Sequence, residues 1–225
     1  MRGRPAAEQR AAPPIAGIVL AAGGSRRFAA AGGGGDDAGA HKLLAPLGGK
    51  PLVRWAVERM LASPVATVIV VLGRDAPLVE RALDGLRVRC VTNERWADGM
   101  STSLHVGIAA ARADGVRAAV VALGDQPLVP AGVVERLVHA FRASGAPVVV
   151  PVYEGGVRGH PVLFADNLFP ELLAVTGDEG ARGVIARAPS RVTAVPVASA
   201  APRDVDTGED LEILRREVEG LGPVT

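Results

Sequence analysis

Short apolar runs alternate with amphipathic segments along most of the chain. The apolar runs end near Gly, Pro, Asn or Asp, as buried strands do; they are residues 15–20, 65–72, 88–92, 117–123, 147–152 and 192–197. The segments between them carry apolar residues at helical spacing; they are residues 52–61, 76–83, 101–113 and 131–143. This alternation predicts an α/β fold of three layers, a mostly parallel sheet with helices on both faces.

The alternation is interrupted once, at residues 151–164. Glu154-Gly155-Gly156 predicts a hairpin there, followed by helical patterns near Leu168 and Ala181. The first 14 residues are rich in Ala, Arg and Pro and contain no apolar segment long enough for a signal peptide or a membrane span. We therefore expect a disordered tail at 1–14, one domain at 15–219 and a short C-terminal tail at 220–225. A chain of 225 residues, 48% of them hydrophobic, can bury one such core.

Charge and cysteine content limit the partners. The 25 basic and 24 acidic residues leave a formal charge of +1, so no overall field attracts polyanions or anionic bilayers. We expect no nucleic acid and no membrane as partner, and basic groups that act locally. The single cysteine, Cys90, lies in an apolar stretch typical of a strand core and permits no internal disulfide. These features favour the reducing cytoplasm.

A basic glycine turn follows the first predicted strand. Ala21, Ala22, Gly23 and Gly24 carry little or no side chain, so backbone N–H groups can approach an anion closely. Ser25, Arg26, Arg27 and, further on, Lys42 add donors and positive charge. The turn matches neither a Walker loop nor the G-x-G-x-x-G of dinucleotide folds. It suits a polyphosphate, although a tight turn with solvated arginines explains it equally well when taken alone.

Two carboxylates stand where strands end. Asp125 directly follows the strand at 117–123, and Asp206 follows the strand at 192–197. Mg²⁺ takes one or two protein carboxylates together with substrate phosphates, so Asp125 suits a metal site. The structural alternatives are that Asp125 caps the helix starting near Pro130 and that Thr207 caps the closing helix.

A loop rich in side-chain donors enters the helix at 101–113. It contains Asn93, Trp96 and Gly99, followed by Ser101 and Ser103. Both serines can cap the helix, whose free N–H groups add about half a positive charge at its start. Trp96 by itself favours packing over stacking on a ligand.

Taken in order, these motifs resemble one family. The strings L-A-A-G-x-S-x-R at 20–27 with Lys42, G-D-Q-P at 124–127, N-x-x-W-x-x-G-M-S-x-S-L at 93–104 and D-V-D-T-x-E-D-L at 204–211 are similar to those of the MobA/MocA-type nucleotidyltransferases. The resemblance covers about residues 15–214 and implies their Rossmann-like fold. The chain departs from the family in the Phe28-Ala29 pair that follows the arginine and in a glycine-rich insertion at 30–40, either a mobile flap or a meaningless expansion.

The resemblance also implies site roles. It makes Arg27, Lys42 and Asp125 catalytic and gives Mg²⁺ to Asp125 and Asp206. Nucleotide contacts are implied for Leu20, Ala21, Ala22, Gly23, Gly24, Ser25, Asn93, Gly99, Ser101 and Ser103. Acceptor contacts are implied for Gly159, His160, Pro161, Asp178 and Arg182.

The MocA-like branch implies transfer of CMP from CTP to the terminal phosphate of molybdopterin, with release of pyrophosphate. Ala22 favours this branch, because guanylyltransferase relatives tend to have L-A-G-G. Three alternatives stay open: nucleotidyl transfer to another phosphorylated acceptor with CTP or GTP, a non-catalytic chaperone that holds the cofactor for a molybdenum hydroxylase partner, and a MocA-like NAD(P)H-dependent oxidoreductase.

Overall fold

The computed structural model describes residues 13–24, 28, 41–177, 180–187 and 189–220. Residues 1–12 of the predicted N-terminal tail, the whole glycine-rich insertion at 30–40 and the last five residues therefore lie outside the described part, and the proposed domain limits stay predictions. None of the described helices is long and apolar enough to cross a bilayer.

Most of the strands join one sheet. The strands are β1 (Ile15–Ala21), β2 (Pro46–Leu47), β3 (Lys50–Pro51), β4 (Thr67–Leu72), β5 (Arg89–Thr92), β6 (Ala118–Leu123), β7 (Val148–Val152), β8 (Val162–Ala165) and β9 (Val192–Pro196). The described residues form a seven-stranded sheet in the order β5-β4-β1-β6-β8-β7-β9, while β2 and β3 pair as a separate small hairpin. The prediction of a mostly parallel sheet is confirmed.

The exception to the parallel order is β8. It runs antiparallel between β6 and β7, with Val162 opposite Val121 and Phe164 opposite Val148. The predicted hairpin is therefore a wide one, whose second strand separates β7 from β6 in the middle of the sheet. The sequence pattern did not show this insertion, because local periodicity identifies a strand without specifying its neighbours.

Helices cover both faces of the sheet, as predicted. They are α1 (Leu52–Leu61), α2 (Ala76–Ala82), α3 (Met100–Ala113), α4 (Val133–Ser144), α5 (Phe169–Leu172), α6 (Arg182–Arg187) and α7 (Gly208–Gly220). One core lies under α1, α2, α4 and α7, and a second under α3, α5 and α6. Successive residues of β1 alternate between them, since Val19 packs in the first core and Ile18 in the second.

Two helix starts differ from the predictions. Helix α4 begins at Val133 with Gly132 before it, rather than at residue 131, so Asp125 does not cap it and that structural alternative is wrong. Helix α3 begins at Met100, one residue early. Cys90 lies on the edge strand β5 and is half-buried rather than a core residue.

Candidate active site

The carboxyl ends of three neighbouring parallel strands meet at one edge of the sheet. The register places Leu20 of β1 between Val71 of β4 and Leu123 of β6. The glycine turn at 22–24 follows β1 and the Gly-Asp-Gln-Pro string at 124–127 follows β6. In open α/β sheets this edge is where ligands bind.

A cleft of about 520 Å³ opens at this edge. Its walls include most of the described residues that were expected to bind nucleotide or metal, namely Leu20, Ala22, Gly23, Gly24, Lys42, Gly99, Ser103, Asp125 and Asp206. Residues that were not anticipated there are Phe28, Trp96, Ala97, Met100 and Leu123. Trp96 thus has two roles, since it packs against the second core and also lines the cleft.

Lys42 joins the two predicted metal ligands. Its Nζ donates to Asp125 Oδ2 at 2.6 Å and to Asp206 Oδ1 at 3.1 Å. The Lys42 side chain is 10% exposed, whereas those of Asp125 and Asp206 are 22% and 32% exposed. All three side chains line the cleft, and the two carboxylates are more exposed to it than the lysine. Sequence positions 42, 125 and 206 converge at one point.

The segment before α7 brings Asp206 to Asp125. The fully buried Val205 donates its backbone N–H to the backbone carbonyl of Asp125 at 3.0 Å. Thr207 then caps α7, because its Oγ1 accepts from the Asp210 N–H at 3.2 Å and its own N–H donates to Asp210 Oδ2 at 2.8 Å. The prediction that Thr207 caps the closing helix is confirmed. The cap also fixes the position of the neighbouring Asp206, so capping by Thr207 and a metal-binding role for Asp206 are compatible.

The charges at this point shift neighbouring pKa values. Burial by itself disfavours the Lys42 ammonium, but the charge of Asp125 and the hydrogen bonds to both aspartates outweigh it and raise the lysine's pKa. Burial raises the pKa of Asp204, and the charges of Asp125 and Asp206 raise it further. Asp204 Oδ1 accepts from Gln126 Nε2 at 2.7 Å. Asp204 thus forms an acidic cluster with Asp125 and Asp206.

The donor set fits a hard divalent cation. Two partly exposed carboxylates already converge on one positive charge, and Mg²⁺ typically combines one or two carboxylates with water and substrate phosphates. No group of three or more His, Cys, Asp or Glu side chains suited to a metal occurs among the described residues. Asp125 and Asp206 would therefore hold such an ion jointly with the phosphates of a bound nucleotide.

The glycine turn is supported by the strand next to it. Arg74 Nη1 donates to the Gly24 carbonyl at 2.8 Å, and the buried His41 contacts the Arg74 carbonyl through Nε2 at 3.2 Å. A Cβ on Gly73 would lie 2.5 Å from the Ala22 carbonyl oxygen, so only glycine permits this close approach. Sequence analysis missed Gly73 and Arg74, and the one available signal was a glycine immediately after a buried strand.

Asn93 has a supporting position rather than a place on the cleft wall. It is 2% exposed, and its Nδ2 donates to Thr102 Oγ1 at 2.8 Å and to Ser103 Oγ at 3.0 Å. Its Oδ1 accepts from the Arg95 N–H at 3.0 Å. Thr102 Oγ1 in turn donates to the Arg95 and Gly99 carbonyls, both at 2.9 Å. These bonds fix the loop before α3 and orient Ser103 at the cleft.

The serines do not cap α3. Gly99, with φ of 112°, occupies the N-cap position, and both serines lie inside the helix. Ser101 is 2% exposed, and its N–H donates to the Gly177 carbonyl at 3.1 Å. Of the two serines, Ser103 lines the cleft and Ser101 does not. Ala21 and Asn93, which were also expected to bind nucleotide, are likewise buried behind the cleft wall.

The described residues that were expected to bind the acceptor, Gly159, His160, Pro161 and Arg182, are not among those that line the cleft. His160 Nδ1 is 3.3 Å from the Val121 carbonyl. Burial lowers its pKa, the bond to Val121 and the charges of Asp204 and Asp125 oppose this change, and the charge of Arg182 adds to it. The charges of the acidic cluster and that of Arg182 in α6 therefore act on the His160 pKa in opposite directions.

Gly159 and Pro161 flank His160. A Cβ on Gly159 would lie 3.2 Å from the Tyr153 ring, and Tyr153 donates its hydroxyl to the His160 carbonyl at 2.6 Å. Burial raises the pKa of Tyr153 to about 12, so this hydroxyl stays protonated. Three predicted site residues, Ser25, Arg27 and Asp178, lie outside the described residues.

Comparisons with known proteins agree with this fold. A sequence profile described as "MobA-like NTP transferase domain" matches residues 17–192. The bifunctional protein GlmU of Agrobacterium fabrum is 31% identical over 145 residues, which are 62% of this chain and 30% of GlmU. The chain thus spans less than a third of that relative's length.

Solved structures agree over nearly the whole chain. The homologue of Rv0371c from Mycobacterium sp. strain JC1 superposes with a TM-score of 0.77 at 32% identity, covering 92% of this chain and 98% of that one. Rv0371c of Mycobacterium tuberculosis H37Rv in complex with manganese gives 0.72 at 28% identity, covering 90% and 98%. With the profile matching most of its length, this chain belongs to the MobA-like NTP transferase domain family.

Proposed function

We propose that the protein is a Mg²⁺-dependent nucleotidyltransferase that transfers CMP from CTP to the terminal phosphate of molybdopterin and releases pyrophosphate. The observation that carries the proposal is the convergence of Lys42, Asp125 and Asp206 beside the glycine turn. Family membership and the manganese complex of a similar protein support a divalent-metal reaction.

The chemistry requires alignment and charge neutralisation. A phosphate monoester is largely dianionic near neutral pH, so its oxygen attacks the nucleotide's α-phosphorus without a general base. The bond from that phosphorus to the oxygen bridging to the β-phosphate breaks, and pyrophosphate leaves with the electron pair. The barrier lies in bringing anions together in line.

The described residues meet both requirements. Gly23 and Gly24 let the backbone approach the triphosphate, and the Lys42 ammonium neutralises charge on the α-phosphate and the departing pyrophosphate. Arg27, which follows the turn in the chain, is proposed to add a second positive charge. A divalent ion held by Asp125 and Asp206, when bound, supplies electrostatic stabilisation to the same phosphates.

The choice of base and acceptor rests on the resemblance. Ala22, 4% exposed at the cleft, stands where guanylyltransferase relatives tend to have glycine, which favours CTP. His160 and Arg182 are proposed to face the acceptor because the resemblance implies it, and the two residues lie near enough for the charge of Arg182 to act on the His160 ring.

The test is pyrophosphate release by the purified protein with molybdopterin, Mg²⁺ and, in separate reactions, CTP, GTP, ATP or UTP. Release with CTP alone, with the cytidylyl group recovered on the acceptor, is the expected result. Release with GTP alone assigns the guanylyl branch instead. A lack of release with all four nucleotides, using acceptor that a control enzyme consumes, contradicts the proposal.

Ligand binding separates the remaining classes. Equilibrium titration should show CTP binding that strengthens with Mg²⁺. Binding of NAD(P)H without CTP favours the oxidoreductase reading. Binding of molybdopterin without any nucleotide favours a carrier that delivers the cofactor to a molybdenum hydroxylase.

A further inference from the structure

We propose that Lys42 is a displaceable counter-ion of the metal site, so that its ammonium and the divalent cation compete for the Asp125–Asp206 pair. On this account the cation binds the pair weakly until nucleotide phosphates draw the ammonium away. The inference deepens the proposed function and rests on it for the identity of the phosphates, whereas the competition itself needs only the three side chains.

The contacts place the ammonium where a bridging cation belongs. Lys42 Nζ is within hydrogen-bond distance of one oxygen from each carboxylate, at 2.6 and 3.1 Å. Mg²⁺ requires carboxylate oxygens at about 2.0–2.1 Å and tolerates little distortion of its shell. A cation that bridges these same two oxygens would lie close to the Lys42 ammonium and compete with it for the negative charge of both carboxylates.

Charge balance favours exchange over joint occupancy. If the ammonium stays, a divalent cation on the same two carboxylates lies directly beside a positive charge. Two like charges a few ångströms apart in a partly buried site repel strongly. A triphosphate brings enough negative charge for both cations, so metal and lysine can then be accommodated together.

The lysine has somewhere to move. Its flexible four-carbon stem carries a point charge with rotatable donors. Lys42 lines the cleft together with Gly23 and Gly24, where the phosphates are proposed to lie. Moving from the carboxylates to a phosphate oxygen keeps the charge paired. The exchange therefore couples metal entry to nucleotide entry.

The test uses Mn²⁺ alone, with free Mn²⁺ followed by its electron paramagnetic resonance signal. Without nucleotide, Lys42→Met should bind Mn²⁺ at this pair about tenfold or more tightly than wild type, because a like charge has been removed. Lys42→Gln should behave the same way, and Lys42→Arg, which keeps the charge, should stay weak. Adding Asp125→Asn to Lys42→Met should abolish the gain, which places it at this pair.

Lys50→Met is the matched control. Lys50 belongs to β3 of the small hairpin, where it pairs with Glu58 and lies over the ring of Trp55 in α1. Replacing Lys50 should therefore leave the Mn²⁺ affinity unchanged. Thermal unfolding of each variant establishes that it is folded. CTP should raise the Mn²⁺ affinity of wild type by a larger factor than that of Lys42→Met.

The proposed exchange is wrong if folded Lys42→Met and Lys42→Gln bind Mn²⁺ no more tightly than wild type. If those variants bind Mn²⁺ more tightly but wild type transfers no nucleotide, the exchange stands and the proposed function falls. If wild type transfers CMP while the variants bind no more tightly, the proposed function stands and the exchange is wrong.

Discussion

The side chains at the site are of two kinds: some line the cleft, and others lie behind its wall and position the first kind through hydrogen bonds. Lys42, Asp125 and Ser103 line the cleft, whereas Asn93 lies behind its wall with its amide committed to other protein atoms. Motif resemblance gave Asn93 and Ser103 the same role, contact with the nucleotide. Hydrogen-bond geometry separates them, because a fully committed buried amide positions its neighbours.

Replacing Asn93 with alanine tests this positioning role. The change leaves the Arg95 N–H without its side-chain acceptor and removes the donor that orients Ser103. Leaving a buried polar group unsatisfied costs about 1–3 kcal/mol of folding free energy. We expect the KM for the nucleotide to rise by about tenfold with a smaller change in kcat. Steady-state pyrophosphate release at varied nucleotide concentration measures both.

The matched control is Asn167→Ala. Asn167 is exposed in the short turn after β8, at the opposite edge of the sheet, and its replacement should leave both constants unchanged. An unaltered nucleotide KM in folded Asn93→Ala would show that the Asn93 network does not position the site.

At the scale of elements, the glycine turn depends on its neighbour strand. The chain after β4 approaches so closely that a Cβ on Gly73 would also lie 2.8 Å from Trp96 Cβ. The close approach ties the loop after β1 to the short helix that holds Trp96. The segment after β4, which belongs to none of the recognised motifs, thus helps to set the shape of the cleft.

The Gly73→Ala variant should be active but impaired. The new methyl group meets the backbone oxygen of Ala22, which cannot move without shifting the turn, and a displacement near 1 Å at a reacting centre can cost up to about 100-fold in rate. We expect kcat to fall at least about tenfold and the unfolding free energy to fall by about 1–3 kcal/mol. Gly220→Ala, where a Cβ meets nothing within 4 Å, should change neither. A wild-type kcat in Gly73→Ala would show that the close packing of Gly73 against the glycine turn does not position the site.

Sequence pattern predicted the elements better than their arrangement. Apolar runs identified β1, β4 and β6 because buried parallel strands are continuously apolar. The antiparallel insertion of β8 next to β6 could not be predicted, since pairing partners depend on contacts between distant segments. For the same reason, the Val205–Asp125 backbone bond that joins the two predicted metal ligands leaves no local signal, and their pairing came from resemblance alone.

For the whole molecule, buried histidines make stability depend on pH. Burial lowers the pKa of His160 and of His41 below the ordinary 6.5. The unfolded chain therefore binds protons first as the pH falls, so the stability that these residues contribute is full above 6.5 and is lost as the pH falls below it. We expect the unfolding free energy to decrease from about pH 7.5 to about pH 5.5, measured by chemical denaturation.

His160→Gln should flatten this dependence, and the exposed His139→Gln should not. Asp204 acts with the opposite sign at lower pH, because its raised pKa lets the folded state take up a proton first. An unfolding free energy that rises between about pH 7.5 and 5.5, or a His160→Gln slope equal to that of wild type, would contradict the assigned burial effect.

The central proposal is that Asp125 and Asp206 hold the divalent ion that promotes nucleotidyl transfer. The most direct measurement is Mg²⁺-dependent pyrophosphate release from CTP and molybdopterin by wild type, Asp125→Asn and the control Asp114→Asn, whose residue pairs with the exposed Arg89 on the surface. The account predicts that Asp125→Asn loses turnover by at least about 100-fold while acceptor binding changes little, and that Asp114→Asn matches wild type. Wild-type turnover by Asp125→Asn at saturating Mg²⁺ would contradict it.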